Sequence, residues 1–126
     1  MPAASSLNVL IVDDQQTIRS LVRSGLQQLG FTNFQDAADG EDGLRAMLAK
    51  PYSLVISDYN MPNLDGPGFI ERVRQHPEHR ATPILVLTTE SDPTKKARAR
   101  SAGATGWIIK PFNPDKLVEA IRRVAA

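Results

Sequence analysis

The chain predicts an α/β protein in which five strand–helix units wrap around one parallel sheet. Near-continuous apolar runs recur at Val9-Leu10-Ile11-Val12, Leu54-Val55-Ile56-Ser57, Ile84-Leu85-Val86-Leu87 and Gly106-Trp107-Ile108-Ile109. Runs of this kind suit strands buried on both faces by helices, the habit of parallel sheets. Between them lie stretches whose apolar residues fall three or four apart, the helical spacing.

Each element has a local cause. The first helix is expected over roughly residues 16 to 29, with Ile18, Leu21, Val22, Leu26 and Leu29 on its apolar stripe and Gly30 as a left-handed cap. Phe31 to Ala38 reads as a weak strand. Asp39 can cap a second helix carrying Leu44, Met47 and Leu48. The Leu54 strand ends at Asp58, and a third helix after Pro67 uses Phe69, Ile70 and Val73. Asp92-Pro93 opens a fourth helix that stops at Gly103, and Asn113-Pro114 repeats the device before Leu117, Val118, Ile121 and Val124. Right-handed crossovers bring every strand's C-terminal end to one edge, where ligands of such sheets bind.

The bulk composition narrows the classes. A chain of 126 residues is the size of one domain and long enough for a real core. With 15 basic against 14 acidic residues it has no global nucleic-acid or membrane signature. The absence of cysteine excludes disulfides and thiol chemistry. No apolar run approaches the ~20 residues of a membrane span. Residues 1–6 lack the pattern of a signal peptide and read as a flexible tail. A cytoplasmic protein is the expectation.

The strand ends carry the chemistry. Asp13 and Asp14 follow the first strand, Asp58 closes the third, Thr88 the fourth, and Lys110 follows the fifth. Taken singly these are ordinary: Asp13-Asp14 could be helix N-capping, Asp58 a turn residue, and Asp65-Gly66 only a turn. Gathered on one edge, three carboxylates repel one another, and a hard divalent cation relieves that repulsion. Mg²⁺ accepts one or two carboxylates, a carbonyl and waters. His76 and His79, in the loop before Pro83, are read as surface residues, so a zinc site is not expected. Asp58 can then serve as a nucleophile toward phosphorus, with Lys110 and Thr88 meeting phosphoryl oxygens.

Over essentially its whole length the chain resembles the receiver domains of two-component response regulators. The matching pieces are Val12-Asp13-Asp14, Asp58 through Gly66, Leu87-Thr88-Thr89-Glu90, Gly103-Ala104 and Lys110-Pro111-Phe112. The resemblance implies a flavodoxin-like (βα)5 three-layer sandwich, sheet order 2-1-3-4-5, with the receiver occupying residues 7–126. It implies a signalling protein rather than an enzyme, one that assists its own phosphorylation and dephosphorylation. Asp58 would take the phosphoryl group from a histidine kinase. Mg²⁺ would be held directly by Asp14 and Asp58, largely through water by Asp13, and by the backbone carbonyl of Asn60. Thr88, Lys110 and Trp107 would be the catalytic and switch residues, Asn60 and Glu90 would flank the phosphoryl site, and the Lys110-Pro111 bond would be cis. Trp107 stands where the family usually has Tyr or Phe.

The pieces look most like stand-alone chemotaxis regulators of the CheY kind. Expected partners are therefore a CheA-type kinase and the flagellar motor switch, with the chain itself a monomer. The runner-up is a non-motor receiver, either a phosphate sink or a kinase regulator. A haloacid-dehalogenase-like phosphatase is disfavoured because Asn60 stands where its second acid would be. Lys95, Lys96, Arg98 and Arg100 read as a solvated helix face, or as a basic patch for an acidic partner; the resemblance implies an output surface made by this fourth helix, the fifth strand and the last helix, which phosphorylation would switch.

Overall fold

The computed structural model describes residues 7–88 and 93–125. The expected tail, Thr89, Glu90 and the Asp92 cap lie outside these residues. The strands are β1 (Asn8–Val12), β2 (Asn33–Ala37), β3 (Leu54–Asp58), β4 (Ile84–Thr88) and β5 (Gly106–Ile109). The helices are α1 (Gln16–Gln28), α2 (Gly40–Ala49), α3 (Gly66–Arg74), α4 (Pro93–Ala102) and α5 (Pro114–Ala125), with a short 3₁₀ turn at Pro77–His79. All strand pairs are parallel, in the order β2-β1-β3-β4-β5.

Burial explains the strand sequences. Every residue of β3 and β4 is buried, whereas the edge strand β2 alternates and its sequence, Asn-Phe-Gln-Asp-Ala, is correspondingly polar. Successive side chains of the central strands go to opposite faces. Leu10, Val12, Val55 and Val86 pack with Met47 of α2, Phe69, Ile70 and Val73 of α3, and Ala99 and Ala102 of α4. Val9, Ile11, Leu54, Ile56, Leu85 and Leu87 pack with Val22 and Leu26 of α1 and Leu117 and Ile121 of α5. Each fully buried Leu or Ile contributes about 1.5–3 kcal/mol.

The caps follow the sequence closely. The Asp39 carboxylate accepts from the Asp42 N–H at 2.8 Å, and Asn113 accepts from the Lys116 N–H at 2.9 Å. Gly30 (φ 92°) and Gly103 (φ 113°) occupy the left-handed region after α1 and α4. Two stripe assignments differ: Leu21 is 41% exposed and Leu48 52% exposed. The residues these helices do bury are Val22, Gly25 and Leu26 in α1 and Gly40, Gly43 and Met47 in α2.

His79 also departs from expectation. It is only 3% exposed, and its Nε2 lies 2.9 Å from the Met47 carbonyl oxygen. The 3₁₀ turn folds the ring inward beneath the last turn of α2, where it meets a carbonyl left without a helical partner. His76 is half-buried.

Candidate functional site

The sheet order places the ends of β1 and β3 side by side where the chain reverses direction across the sheet, the usual ligand crevice of such folds. Asp13, Asp14 and Asp58 converge there, each offering an oxygen within 4.8 Å of the others. Asp13 and Asp58 are buried and Asp14 is exposed, so the cluster opens to solvent on the Asp14 side. Asp13 Oδ1 accepts the Gln15 N–H at 2.8 Å, and Arg19 of α1 donates to the Asp13 carbonyl. Gln15, the N-cap of α1, makes no side-chain cap.

Lys110 enters from beyond β5. Its Nζ lies 3.0 Å from Asp58 Oδ1 and 3.5 Å from Asp13 Oδ2. The Lys110 N–H donates to the Thr88 carbonyl at 2.6 Å, and the Lys110-Pro111 bond is cis. Asp58 Oδ1 also accepts the Tyr59 N–H at 2.9 Å, so neither of these two bonds uses Oδ2. Thr88 is buried at the adjacent strand end.

The electrostatics are those of a cation-deficient pocket. Burial first, then the neighbouring Asp58 and Asp14 charges, push the Asp13 carboxyl above its ordinary value, while the Gln15 N–H and Lys110 oppose them. Three carboxylates facing a single bridging ammonium suit an added hard dication with oxygen preference. The donor set therefore fits Mg²⁺.

The loop after Asp58 is drawn tight. The Gly66 N–H donates to the Tyr59 carbonyl at 2.8 Å, and a Cβ on Gly66 would stand 2.4 Å from the Asp58 carbonyl oxygen. Only glycine permits that approach. Asp65 is more than a turn residue: it caps α3 through the Gly68 N–H at 2.8 Å and pairs with Arg98 at 2.8 Å. Asn63, with φ 70°, donates to Asp39 at 2.8 Å and ties the loop to α2. Asn60 is exposed at the loop's start.

Trp107 is partly buried on β5, against the α2–α3–α4 face of the core. Lys96 Nζ and Arg100 Cζ lie 5.6 and 5.1 Å from its ring centre. The basic run of α4 is thus not simply solvated. Sequence reasoning also missed Arg74, which is half-buried. Its guanidinium donates to the Gly103 carbonyl (3.1 and 2.8 Å), the His79 carbonyl (2.6 Å) and the Thr82 carbonyl (2.7 Å). Burial pushes its pKa down from the ordinary arginine value. The one available signal was its position four residues after Ile70, on the apolar face of α3.

Residues 9–122 match the response regulator receiver domain. The chain belongs to the receiver family. It is 43% identical to a probable chemotaxis protein CheY of Rhizobium etli, over 98% of this chain and 96% of that one. It is 34% identical to chemotaxis protein CheY-3 of Vibrio cholerae, over 94% and 92%. Among solved structures, chemotaxis response regulator CheY4 of Vibrio cholerae superimposes with a TM-score of 0.88 at 42% identity, covering 94% of this receiver and 98% of that chain. The flavodoxin-like fold and the strand order expected of a receiver are those observed. No described helix is long and apolar enough to cross a membrane.

Proposed function

We propose that this receiver, residues 7–126, accepts a phosphoryl group on Asp58 from a histidine kinase of the CheA type. The observation that carries the reading is the contact of Lys110 Nζ with Asp58 at 3.0 Å inside a cluster of three carboxylates. Asp13, Asp14 and Asp58, with the Asn60 backbone carbonyl, would hold Mg²⁺. When bound, the ion would neutralise acceptor and phosphoryl oxygens.

The chain's own residues do the rest. The Tyr59 N–H and Lys110 fix the Asp58 carboxylate through Oδ1 and leave Oδ2 as the attacking oxygen. Its electron pair forms the new O–P bond as the donor's P–O or P–N bond breaks toward the leaving group. Lys110 can then meet a phosphoryl oxygen as a point charge, and the Thr88 hydroxyl can donate to another. Asn60 would flank the group, as would Glu90 by its likeness to the family pattern. Trp107 reports occupancy to the face made by α4, β5 and α5, and an output protein docks there. The flagellar motor switch is the partner we favour, given the likeness to CheY-type chemotaxis proteins. We assign a monomer that works in the cytoplasm.

The test is chemical. Incubation with acetyl phosphate and Mg²⁺, borohydride trapping and mass spectrometry should place the adduct on Asp58 and on no other residue. A label on Asp13 or Asp14 in the intact protein would overturn the assignment. Capture of the phosphorylated chain by a kinase rather than by a motor-switch segment would favour a phosphate sink.

A further inference from the structure

We propose that α4 is a lever held down by charge instead of an apolar stripe, with the Arg98–Asp65 pair as its latch. The proposal rests on the reading of Asp58 as acceptor for its signalling consequence, but not for its mechanics. The helix sequence, Pro-Thr-Lys-Lys-Ala-Arg-Ala-Arg-Ser-Ala, buries only Ala99 and Ala102, both in its C-terminal half. The other described helices that pack on this face insert larger residues: Met47 from α2, and Phe69, Ile70 and Val73 from α3.

The cations of α4 divide by helical spacing. Lys95 and Arg98, three apart, turn toward the loop after the acceptor. Lys95 Nζ lies 5.6 Å from the Tyr59 ring centre, and Arg98 Nη1 lies 2.8 Å from Asp65 Oδ2. Asp65 and Tyr59 together raise the Arg98 pKa through hydrogen bonds. Lys96 and Arg100, four apart, turn toward Trp107. The heel of the helix is pinned differently. Arg74 grips the Gly103 carbonyl with two N–H groups, and a side chain on Gly103 would collide with it at 2.9 Å.

The lever therefore has a fixed end, and it touches both the acceptor loop and the aromatic ring of β5. The latch reaches the acceptor itself by a short path. Asp65 adjoins Gly66, which bonds Tyr59 and packs on the Asp58 carbonyl. A shift of that carbonyl can loosen Asp65, and a loosened Asp65 frees Arg98.

Hydrogen exchange on the full chain tests the latch. Arg98→Ala removes the cation, and Asp65→Asn removes the charge while keeping a residue that caps α3. Each variant should speed exchange of the α4 amides by about twofold to fivefold, the range of a surface ion pair, with α3 and α5 unchanged. The double variant should be no faster than either single one, and 0.5 M NaCl should reproduce the effect in the wild type. Unchanged α4 exchange in Arg98→Ala and in salt, or additive single effects, would overturn the latch. Labelling by acetyl phosphate should also be faster in Arg98→Ala, and an equal rate would sever the latch from signalling. A wild type that takes no label refutes the acceptor assignment and leaves the exchange data to decide the latch.

Discussion

Replacing Arg74 by Met should cost the domain about 3 kcal/mol. Arg74 donates four hydrogen bonds to three backbone carbonyls, those of Gly103, His79 and Thr82. Methionine fills most of the volume and supplies no donor. Each stranded carbonyl costs about 1–3 kcal/mol when water cannot replace the lost donor. The guanidinium's own burial is relieved by the substitution, which argues for the lower end of that range. For 126 residues the unfolding entropy is about 0.26 kcal/mol per kelvin, so the midpoint temperature should fall by about 11 °C. Urea titration followed by circular dichroism gives the free energy directly, with an unchanged slope expected. Arg74→Lys should fall between wild type and Arg74→Met, since one ammonium cannot span three carbonyls on two segments. A loss below about 1 kcal/mol in Arg74→Met, at unchanged slope, would refute the account of Arg74 as the joint between α3, β4 and the heel of α4.

Other outcomes follow from the site. The Asp13 carboxyl is raised from its ordinary value of 3.8, so the fold opposes its ionisation. The favourable contribution is complete below about 3.8 and is lost as pH rises through the folded-state value. Metal-free Asp13→Asn should therefore gain stability relative to wild type between acid and neutral pH, and Mg²⁺ should stabilise wild type more than the variant; thermal melts with EDTA and with Mg²⁺ measure both. A stability difference that does not vary with pH would disprove the assignment. Trp107 is the sole tryptophan, and its acrylamide quenching should fall when beryllofluoride occupies Asp58, as the ring leaves Lys96 and Arg100 for the interior. Unchanged quenching at confirmed occupancy would remove Trp107 from the switch.

The legible parts of this molecule were those whose cause is local. Apolar runs gave the strands, Asp39 and Asn113 the caps, and strand-end acids the cluster. Those residues act on neighbours a few positions away, or through the sheet edge that the topology dictates. What escaped depends on contacts between segments remote in sequence. Arg74 meets Gly103 across 29 positions, His79 meets Met47 across 32, and Arg98 meets Asp65 across 33. Nothing in the composition of α4 separates a solvated basic face from one resting on two aromatic rings. The exposure of Leu21 and Leu48 has the same origin, since period alone cannot say how wide an arc its neighbours cover.

Lys110 and Asp13 stand 97 positions apart, and β5 is the last strand of this sheet to be made. At about 5–20 residues per second, roughly 5–20 seconds of synthesis separate the first acid from its ammonium partner. Until Lys110 is made, the carboxylates of Asp13 and Asp58 lack the ammonium that bridges them. A chain that has not yet reached β5 lacks the ammonium that holds Asp58 Oδ1. Scattering one pocket over three strand ends ties its assembly to the making of the fifth strand.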